Sequence, residues 1–208
     1  MAVCTLSFAF HLHLHLHFIF VTNKLSFFCT NSSLFAGLAI IEPSRGQILD
    51  CLEKHPLKTS PKIPELIDTL KARGTDVYFV SGGFRIMIEP LAESLGVPVS
   101  NIVANTIFFD EEGSYTGFCK DEPTSADQGK PKAVQMLKEK HGYETVVMVG
   151  DGATDAQAKR EGAADAFLGF GGIADRDAVR EKADWFVYDF GEVVEMLREE
   201  DSEDFDCK

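Results

Sequence analysis

Residues 145–155 read TVVMVGDGATD, in which a short apolar run ends in a turn that carries two carboxylates. The apolar run predicts a buried strand, because short apolar runs bounded by glycine are typical of strands that are covered on both faces. Asp151 follows the end of this strand, and Asp155 lies where a helix is expected to begin and where a carboxylate can cap it. The segment therefore predicts a strand whose carboxyl end presents acidic side chains.

The alternation of strands and helices around this segment predicts an α/β fold. Further buried strands are expected at 76–80, 165–170 and 185–188, with helices of about ten residues between them. This alternation is typical of a three-layer structure with an open, mainly parallel sheet and helices on both faces. Ligands bind beyond the carboxyl ends of such strands, so the turns at 81–83 and 150–155 are the expected place for chemistry.

Three helices carry more detailed expectations. Gly74 is expected to end the helix over 63–74, since glycine adopts the left-handed conformation without strain. Pro90 lies inside the helix expected at 84–96 and predicts a kink there. The helix expected at 130–142 has an apolar face made of Ala133, Val134, Met136 and Leu137.

Charge and cysteine content exclude several classes of partner. The chain has 208 residues and a formal net charge of −13, which disfavours binding to the phosphates of nucleic acid. Its five cysteines are odd in number and none is spaced as CxxC, so neither a disulfide framework nor a thiolate metal site is predicted. We expect a reducing, cytoplasmic setting and no membrane association.

The first 37 residues differ from the rest of the chain. Residues 1–41 contain one charged side chain, Lys24, and no Asp or Glu. A secretory signal is disfavoured because no basic residue precedes the apolar run, and a transit peptide because arginine is absent. The alternating HLHLHLH tract at 11–17 would place its imidazoles on one face of a strand and bind a metal adventitiously, but a low-complexity tract is the preferred interpretation. Residues 18–21 have the composition of a strand that pairs with a sheet.

Two other positions predict an anion site beside the carboxylates. Ser81 follows the strand over 76–80 and would offer a hydroxyl next to backbone N–H groups, although a role as an ordinary helix N-cap is the alternative. Lys130 begins a helix, where the helix dipole disfavours a cation, which indicates either a negatively charged partner or a solvated side chain. With Asp151 and Asp155, these residues predict a site for a phosphate and Mg²⁺.

Several longer stretches carry a family resemblance. VSGGFR (80–85), EEGSYTGF (111–118), DEPTSADQGKPKAVQMLKEK (121–140), VMVGDGATDAQA (147–158) and DAFLGFGG (165–172) resemble the phosphoserine phosphatases, which belong to the haloacid dehalogenase-like superfamily. The resemblance covers about residues 38–208. It implies a Mg²⁺-dependent hydrolase of that superfamily's Rossmann-type fold, which converts O-phospho-L-serine to L-serine and phosphate in the last step of L-serine biosynthesis.

The resemblance also implies a role for each matching residue. Asp151 would ligate Mg²⁺, and Asp155 would support the metal site. Lys130 would act in catalysis by balancing charge on the phosphoryl group and the nucleophile. The residues that would contact the substrate are Ser81, Gly82, Gly83, Lys130 and Thr154.

The nucleophile motif of this family is missing from the sequence. Family members attack phosphorus with the first Asp of DxDxT, at the end of a central first strand, and use the second Asp as general acid and base. Residues 1–41 contain no acid, and the DxD at 204–206 follows no apolar strand. The central strand should therefore be missing, which leaves a gap in the sheet, or replaced, for example by residues 18–21. Ala2-Val3-Cys4 resembles the usual approach to the nucleophile. We expect this chain to hydrolyse phosphoserine poorly.

Two alternatives to an active enzyme stay open. One is a catalytically dead relative that still binds phosphate or phosphoserine, and the other is a truncated or misread gene product in which residues 1–37 are not natural coding sequence. The expected division of the chain is an atypical segment at 1–37, a remnant of a helical cap at 38–60, a phosphatase core at 61–198 and an acidic tail at 199–208. A homodimer is left open, since the sequence does not fix the oligomeric state.

Overall fold

The structure, a computed structural model, describes residues 2–6 and 37–206. Its strands are β1 (Ala2–Leu6), β2 (Asp76–Phe84), β3 (Ile102–Asn105), β4 (Ile107–Phe109), β5 (Tyr115–Phe118), β6 (Thr145–Gly150), β7 (Ala166–Phe170) and β8 (Trp185–Val187). Its named α-helices are α1 (Arg45–Lys54), α2 (Ile63–Ala72), α3 (Arg85–Ser94), α4 (Gly129–His141), α5 (Ala153–Ala156), α6 (Asp177–Arg180) and α7 (Phe190–Asp206). Residues 37–41 are also helical, and short 3₁₀ helices cover Val99–Asn101 and Pro123–Ser125.

Six of these strands form one sheet, in the order β3-β2-β1-β6-β7-β8. Every neighbouring pair in that sheet is parallel, which confirms the predicted α/β class. The strands β4 and β5 form a separate antiparallel hairpin. Because the sheet is parallel, the carboxyl ends of its strands lie along one edge.

The centre of the sheet is filled by β1, so the expected gap is wrong. Leu6 at the end of β1 pairs with Phe79 of β2 and with Val149 of β6. The Thr5 hydroxyl is fully buried and donates to the carbonyl of Val147 at 3.0 Å. A short β-forming segment is enough to fill this place, because the parallel ladder is made by backbone groups. The other candidate for this place, residues 18–21, lies outside the described residues.

Helices cover both faces of the sheet, as the alternating pattern predicts. Side chains of β2 point alternately to the two faces. Phe79 packs with residues of α2, α3 and α7 on one face. Val80 packs with α4 on the other face, in the same cluster as Met148 of β6. The core is therefore split into two apolar layers by the sheet.

The structure confirms some of the predictions made for single residues and contradicts others. Gly74 ends α2 in the left-handed conformation, with φ at +71°, which confirms the predicted stop. Pro90 lies inside α3, as the sequence indicates. Met136 is 55% exposed, so its placement on the apolar face of α4 is wrong. The tight turn expected at 81–83 is also wrong, because β2 continues to Phe84 with an irregular register beyond Val80.

A smaller apolar cluster lies beside the carboxyl edge of the sheet. It joins the first helical residues after 36, α1 and the β4–β5 hairpin to the end of β2, and its buried members are Leu38, Ile48, Phe84 and Ile107. Ser44 and Gln47 form a capping box that fixes the start of α1. These elements build a side wall next to the strand ends that carry the predicted site.

Candidate active site

Ser81 and Asp151 stand at the same level of the sheet, on either side of β1. Each lies two residues beyond the residue that pairs with Leu6, in β2 and after β6 respectively. Neighbouring strands are about 4.8 Å apart, so strands separated by one intervening strand place such residues roughly 10 Å apart. The end of β1 therefore opens between a hydroxyl and a carboxylate.

Ser81 lies in the irregular last part of β2 and does not cap the helix that follows. The residue is 7% exposed, and its Oγ accepts a hydrogen bond from the N–H of Gly83 at 3.0 Å. The N-cap of α3 is Phe84, so the ordinary N-cap interpretation of Ser81 is wrong. Because Oγ acts as an acceptor in this bond, the O–H hydrogen can still be donated to an anion.

Lys130 has the negatively charged partner that its position at a helix start indicates. Its Nζ lies 2.5 Å from Oδ1 of Asp155, whose side chain is fully buried. The other oxygen of Asp155, Oδ2, accepts from the N–H of Gly152 at 2.9 Å. Asp155 thus caps the short α5, as predicted, and fixes Lys130 at the same time.

Gly150 provides the space in which this carboxylate is buried. A Cβ atom at position 150 would lie 2.4 Å from both Cγ and Oδ2 of Asp155. Any larger residue would therefore displace the carboxylate that holds Lys130. The last glycine before Asp151 is required by packing against Asp155.

Asp151 is paired with an arginine that the sequence reasoning did not single out. Its side chain is 3% exposed, and Oδ2 accepts from Nη1 of Arg176 at 2.7 Å. The same Nη1 donates to the carbonyl oxygen of Asp151 at 2.5 Å. The contact joins the turn after β6 to the loop before α6, so local periodicity carries no signal for it.

Asn105 and Thr124 join the last residues of β2 to the segment that leads to Lys130. The buried Asn105 donates from Nδ2 to the carbonyl of Gly82 at 2.7 Å and accepts from Thr124 Oγ1 at 3.0 Å. Gly129 packs so closely on this segment that a Cβ atom would lie 2.3 Å from the carbonyl oxygen of Pro123. These contacts set the position of Lys130 relative to the end of β2. A polar residue at the end of a predicted strand was the available signal for Asn105.

The remaining substrate candidates are more accessible. Gly82 and Gly83 are partly buried, whereas Thr154 is exposed on the first turn of α5. Thr154 lies between Asp151 and Asp155 in the sequence, so its exposed side chain lies at the edge of the segment that carries both carboxylates. It is placed to meet a molecule that enters from solvent.

The described side chains of β1 offer no activated nucleophile. Burial raises the pKa of the Cys4 thiol to about 12, so the thiolate is scarce at neutral pH. The hydroxyl of Thr5 donates its hydrogen to the carbonyl of Val147. Leu6 ends the strand, and Ser7 and Phe8 follow it in the sequence. No acid therefore stands in the sequence next to the end of β1.

The donor set at Asp151 fits a divalent cation such as Mg²⁺, which takes one or two carboxylates together with waters and substrate phosphate. Asp151 would supply a carboxylate oxygen, while both oxygens of Asp155 are already engaged by Lys130 and Gly152. Among the side chains that the structure describes, no group of three or more from His, Cys, Asp or Glu could hold a metal. Such a cation would therefore depend on waters and on the ligand.

Comparison of the sequence with known proteins places the chain in a family. The model of haloacid dehalogenase-like hydrolases matches residues 11–160. The chloroplastic phosphoserine phosphatase of Arabidopsis thaliana is 43% identical over 165 residues, which is 79% of this chain and 56% of the relative. The phosphoserine phosphatase of Bos taurus is 42% identical over 168 residues, which is 81% of this chain and 74% of the relative. The chain belongs to the phosphoserine phosphatase family of haloacid dehalogenase-like hydrolases.

Solved structures agree with the fold of this family. A crystal structure of a phosphoserine phosphatase in its apo form has a TM-score of 0.70 and covers 93% of this chain and 97% of its own. At 21% sequence identity this likeness shows the fold. The chain spans just over half of the length of the Arabidopsis phosphoserine phosphatase, so that protein's activity enters below as a proposal.

Two general features accompany membership in the phosphoserine phosphatase family. None of the helices in the described part of the chain combines the length and the apolar character needed to cross a bilayer. Cys4, Cys51 and Cys119 are free thiols.

Proposed function

We propose that this chain binds O-phospho-L-serine at the end of β1 and descends from enzymes that hydrolyse it to L-serine and phosphate. One observation carries the proposal: Ser81 and Asp151 flank the end of β1 at equal height, with Lys130 fixed beside them by Asp155. A phosphoryl group needs positioned donors and neutralised charge more than it needs elaborate covalent chemistry. This crevice supplies both requirements.

Each residue of the crevice has a proposed task in binding. The Ser81 O–H donates to a phosphate oxygen, while its Oγ stays bonded to the Gly83 N–H. Lys130 has three N–H donors, so it can bond a phosphate oxygen and keep its contact with Asp155. Thr154, exposed at the rim, contacts the serine portion of the substrate. Mg²⁺ at Asp151 would supply further neutralisation of the phosphate charge.

Hydrolysis by this chain is expected to be slow. The family reaction begins with attack by a carboxylate at the end of the first strand, and no carboxylate occurs in residues 1–41. The side chains of Cys4 and Thr5 do not replace it, for the reasons given above. Binding without turnover is the second candidate function, and the same observation favours it.

The finer assignments are proposals as well. We assign the chain to Mg²⁺-dependent serine biosynthesis in a reducing, cytoplasmic compartment, which the free thiols of Cys4, Cys51 and Cys119 support. The net charge of −13 argues against nucleic acid as a partner. A homodimer stays open and is decided by the molar mass of the purified chain in solution.

Two measurements on the purified chain test the main proposal. Calorimetry with O-phospho-L-serine should show binding that Ser81→Ala weakens about tenfold, the loss expected for one hydrogen bond to a charged group. Ser100→Ala, on an exposed serine remote from the strand ends, should leave binding unchanged. Phosphate release with Mg²⁺ should be far slower than that of a phosphoserine phosphatase that has DxDxT. Absence of binding would refute the proposal, and rapid release would refute the expected impairment.

A further inference from the structure

We propose that Arg176 competes with a divalent cation for Asp151, so that a metal enters the crevice only when this arginine leaves. The inference rests on the proposed function in one respect, the assignment of Asp151 as the metal ligand. It adds an internal competitor that controls occupation of that ligand. Arg176 is not among the residues to which the family resemblance assigns a role.

The first argument is the geometry of the pair. Nη1 of Arg176 donates to Oδ2 and to the carbonyl oxygen of Asp151, at 2.7 and 2.5 Å. These are two oxygens of one residue that a hard cation would also seek. A guanidinium and a metal cannot both approach Oδ2 closely, because their positive charges repel each other. The pair therefore occupies the side of Asp151 that carries both acceptors.

The second argument is the charge balance of the crevice. Asp155 is neutralised by Lys130, and Asp151 is neutralised by Arg176. The carboxylates that would create a surplus of negative charge are missing from residues 1–41. A buried carboxylate such as Asp151 needs a counter-charge, and Arg176 supplies it without a metal. Entry of a dication thus has to overcome an existing ion pair.

The third argument is the difference in exposure between the side chains of Asp151 and Arg176. Asp151 is 3% exposed, whereas the side chain of Arg176 is 37% exposed and can turn outwards. The backbone of Arg176 is held in place, because its carbonyl accepts from the N–H groups of Val179 and Arg180 at 2.9 and 3.0 Å. Release of Asp151 therefore needs only a rotation of the Arg176 side chain. The apparent metal affinity falls in proportion to the fraction of molecules in which it has rotated away.

Calorimetric titration with Mg²⁺ alone tests the competition without substrate or turnover. Arg176→Gln should bind Mg²⁺ at least about tenfold more tightly than the unchanged chain, because a hydrogen-bonded ion pair no longer has to break. Arg180→Gln is the matched control, since Arg180 pairs with Asp175 and Tyr188 and should not alter the affinity. Asp151→Asn should abolish binding in both backgrounds.

The outcomes separate this inference from the proposed function. Equal or weaker Mg²⁺ affinity of Arg176→Gln, with binding abolished by Asp151→Asn, would overturn the competition alone. Binding that survives Asp151→Asn would overturn both the competition and the assignment of the metal ligand. If Arg176→Gln fails to fold, Arg176→Lys keeps the charge on a shorter side chain, and its affinity should exceed that of the unchanged chain. A Mg²⁺-dependent rise in melting temperature that follows the same order of variants would support the inference.

Discussion

Nζ of Lys130 lies 2.5 Å from Oδ1 of Asp155, and this contact joins the first turn of α4 to the short helix α5 that follows β6. Asp155 is fully buried and Lys130 is 14% exposed, so water screens the pair poorly. The lysine gains a fixed position from a residue that the sequence had assigned to the metal. One ion pair thus orders two of the turns that build the crevice.

Removing the negative partner should destabilise the protein strongly. Asp155→Asn keeps the shape of the side chain but leaves Lys130 as a largely buried charge without its carboxylate. We expect a loss of about 3–5 kcal/mol in the free energy of unfolding, measured by urea denaturation. Glu65→Gln is the control, because the Lys62–Glu65 pair is exposed and should cost less than about 1 kcal/mol. Equal losses for the two variants would contradict the prediction.

Gly150 should tolerate no side chain. In Gly150→Ala the new methyl group would meet Cγ and Oδ2 of Asp155 at 2.4 Å. Forcing them apart should cost about 1–3 kcal/mol of unfolding free energy, the range found for overpacked sites. Gly46→Ala makes the same chemical change in α1, where the nearest atom is Ser44 Oγ at 3.9 Å.

In the control variant Gly46→Ala, the free energy of unfolding should change in the opposite direction. Alanine at position 46 should stabilise the chain by about 0.4–1 kcal/mol, because it restricts the unfolded state. Thermal and urea unfolding of both variants measure the two effects. A neutral result for Gly150→Ala would show that Asp155 moves aside easily.

The fold could be predicted from sequence because its signals are local. Runs such as 77–80 and 146–149 are apolar along their length, and Gly74 marks a helix end by its conformation alone. Met136 was misplaced because a stripe at helical spacing does not reveal where its outer boundary lies. The absence of acids suggests that the central strand is missing, whereas residues 2–6 form that strand. Forming the strand requires only backbone pairing and apolar contacts, whereas the missing acids would be required for catalysis.

The site was predicted less completely because it depends on contacts between distant segments. Ser81, Lys130, Asp151 and Asp155 follow strands or begin helices, which makes them visible in the sequence. Their partners are harder to foresee. Arg176 reaches Asp151 across 25 positions, and the approach depends on how the loop after β7 runs. Such a pairing is decided by tertiary structure.

The hydroxyl of Thr124 should matter for both stability and ligand position. Thr124→Val keeps the shape of the side chain but removes the hydrogen that Asn105 Oδ1 accepts. A buried acceptor without its donor should cost about 1–3 kcal/mol of unfolding free energy. Since Asn105 also holds the Gly82 carbonyl, the affinity for O-phospho-L-serine should fall as well.

Thr124→Ser separates this role from general packing. Serine keeps the hydroxyl and loses only a methyl group, so it should retain the affinity for O-phospho-L-serine even where it lowers the melting temperature. Calorimetry and urea unfolding on both variants give the comparison. A loss of affinity that is equal in Val and Ser variants would assign Thr124 to packing alone.

Asp184 should give the chain an acid-dependent stability contribution. Its carboxylate accepts from Lys159 and from the N–H of Phe167 at 2.8 Å, and these bonds hold its pKa below the usual range. The folded pKa therefore lies below the unfolded value of about 3.9, so the contribution is complete well above pH 4. It is lost as the pH falls through the folded pKa, when the carboxylate becomes protonated in the native state.

Asp184→Asn tests this linkage by urea unfolding at pH 7 and near pH 3. The variant should be less stable than the unchanged chain at pH 7, and the difference should shrink at the lower pH. The pKa of Asp165 is also lowered, although burial opposes the effect of its bonds to Lys138 and Val146. Asp165 is present in both proteins, so its contribution cancels when the two unfolding free energies are subtracted. A difference that stays constant between the two pH values would show that Asp184 acts through its hydrogen-bond geometry and not through its charge.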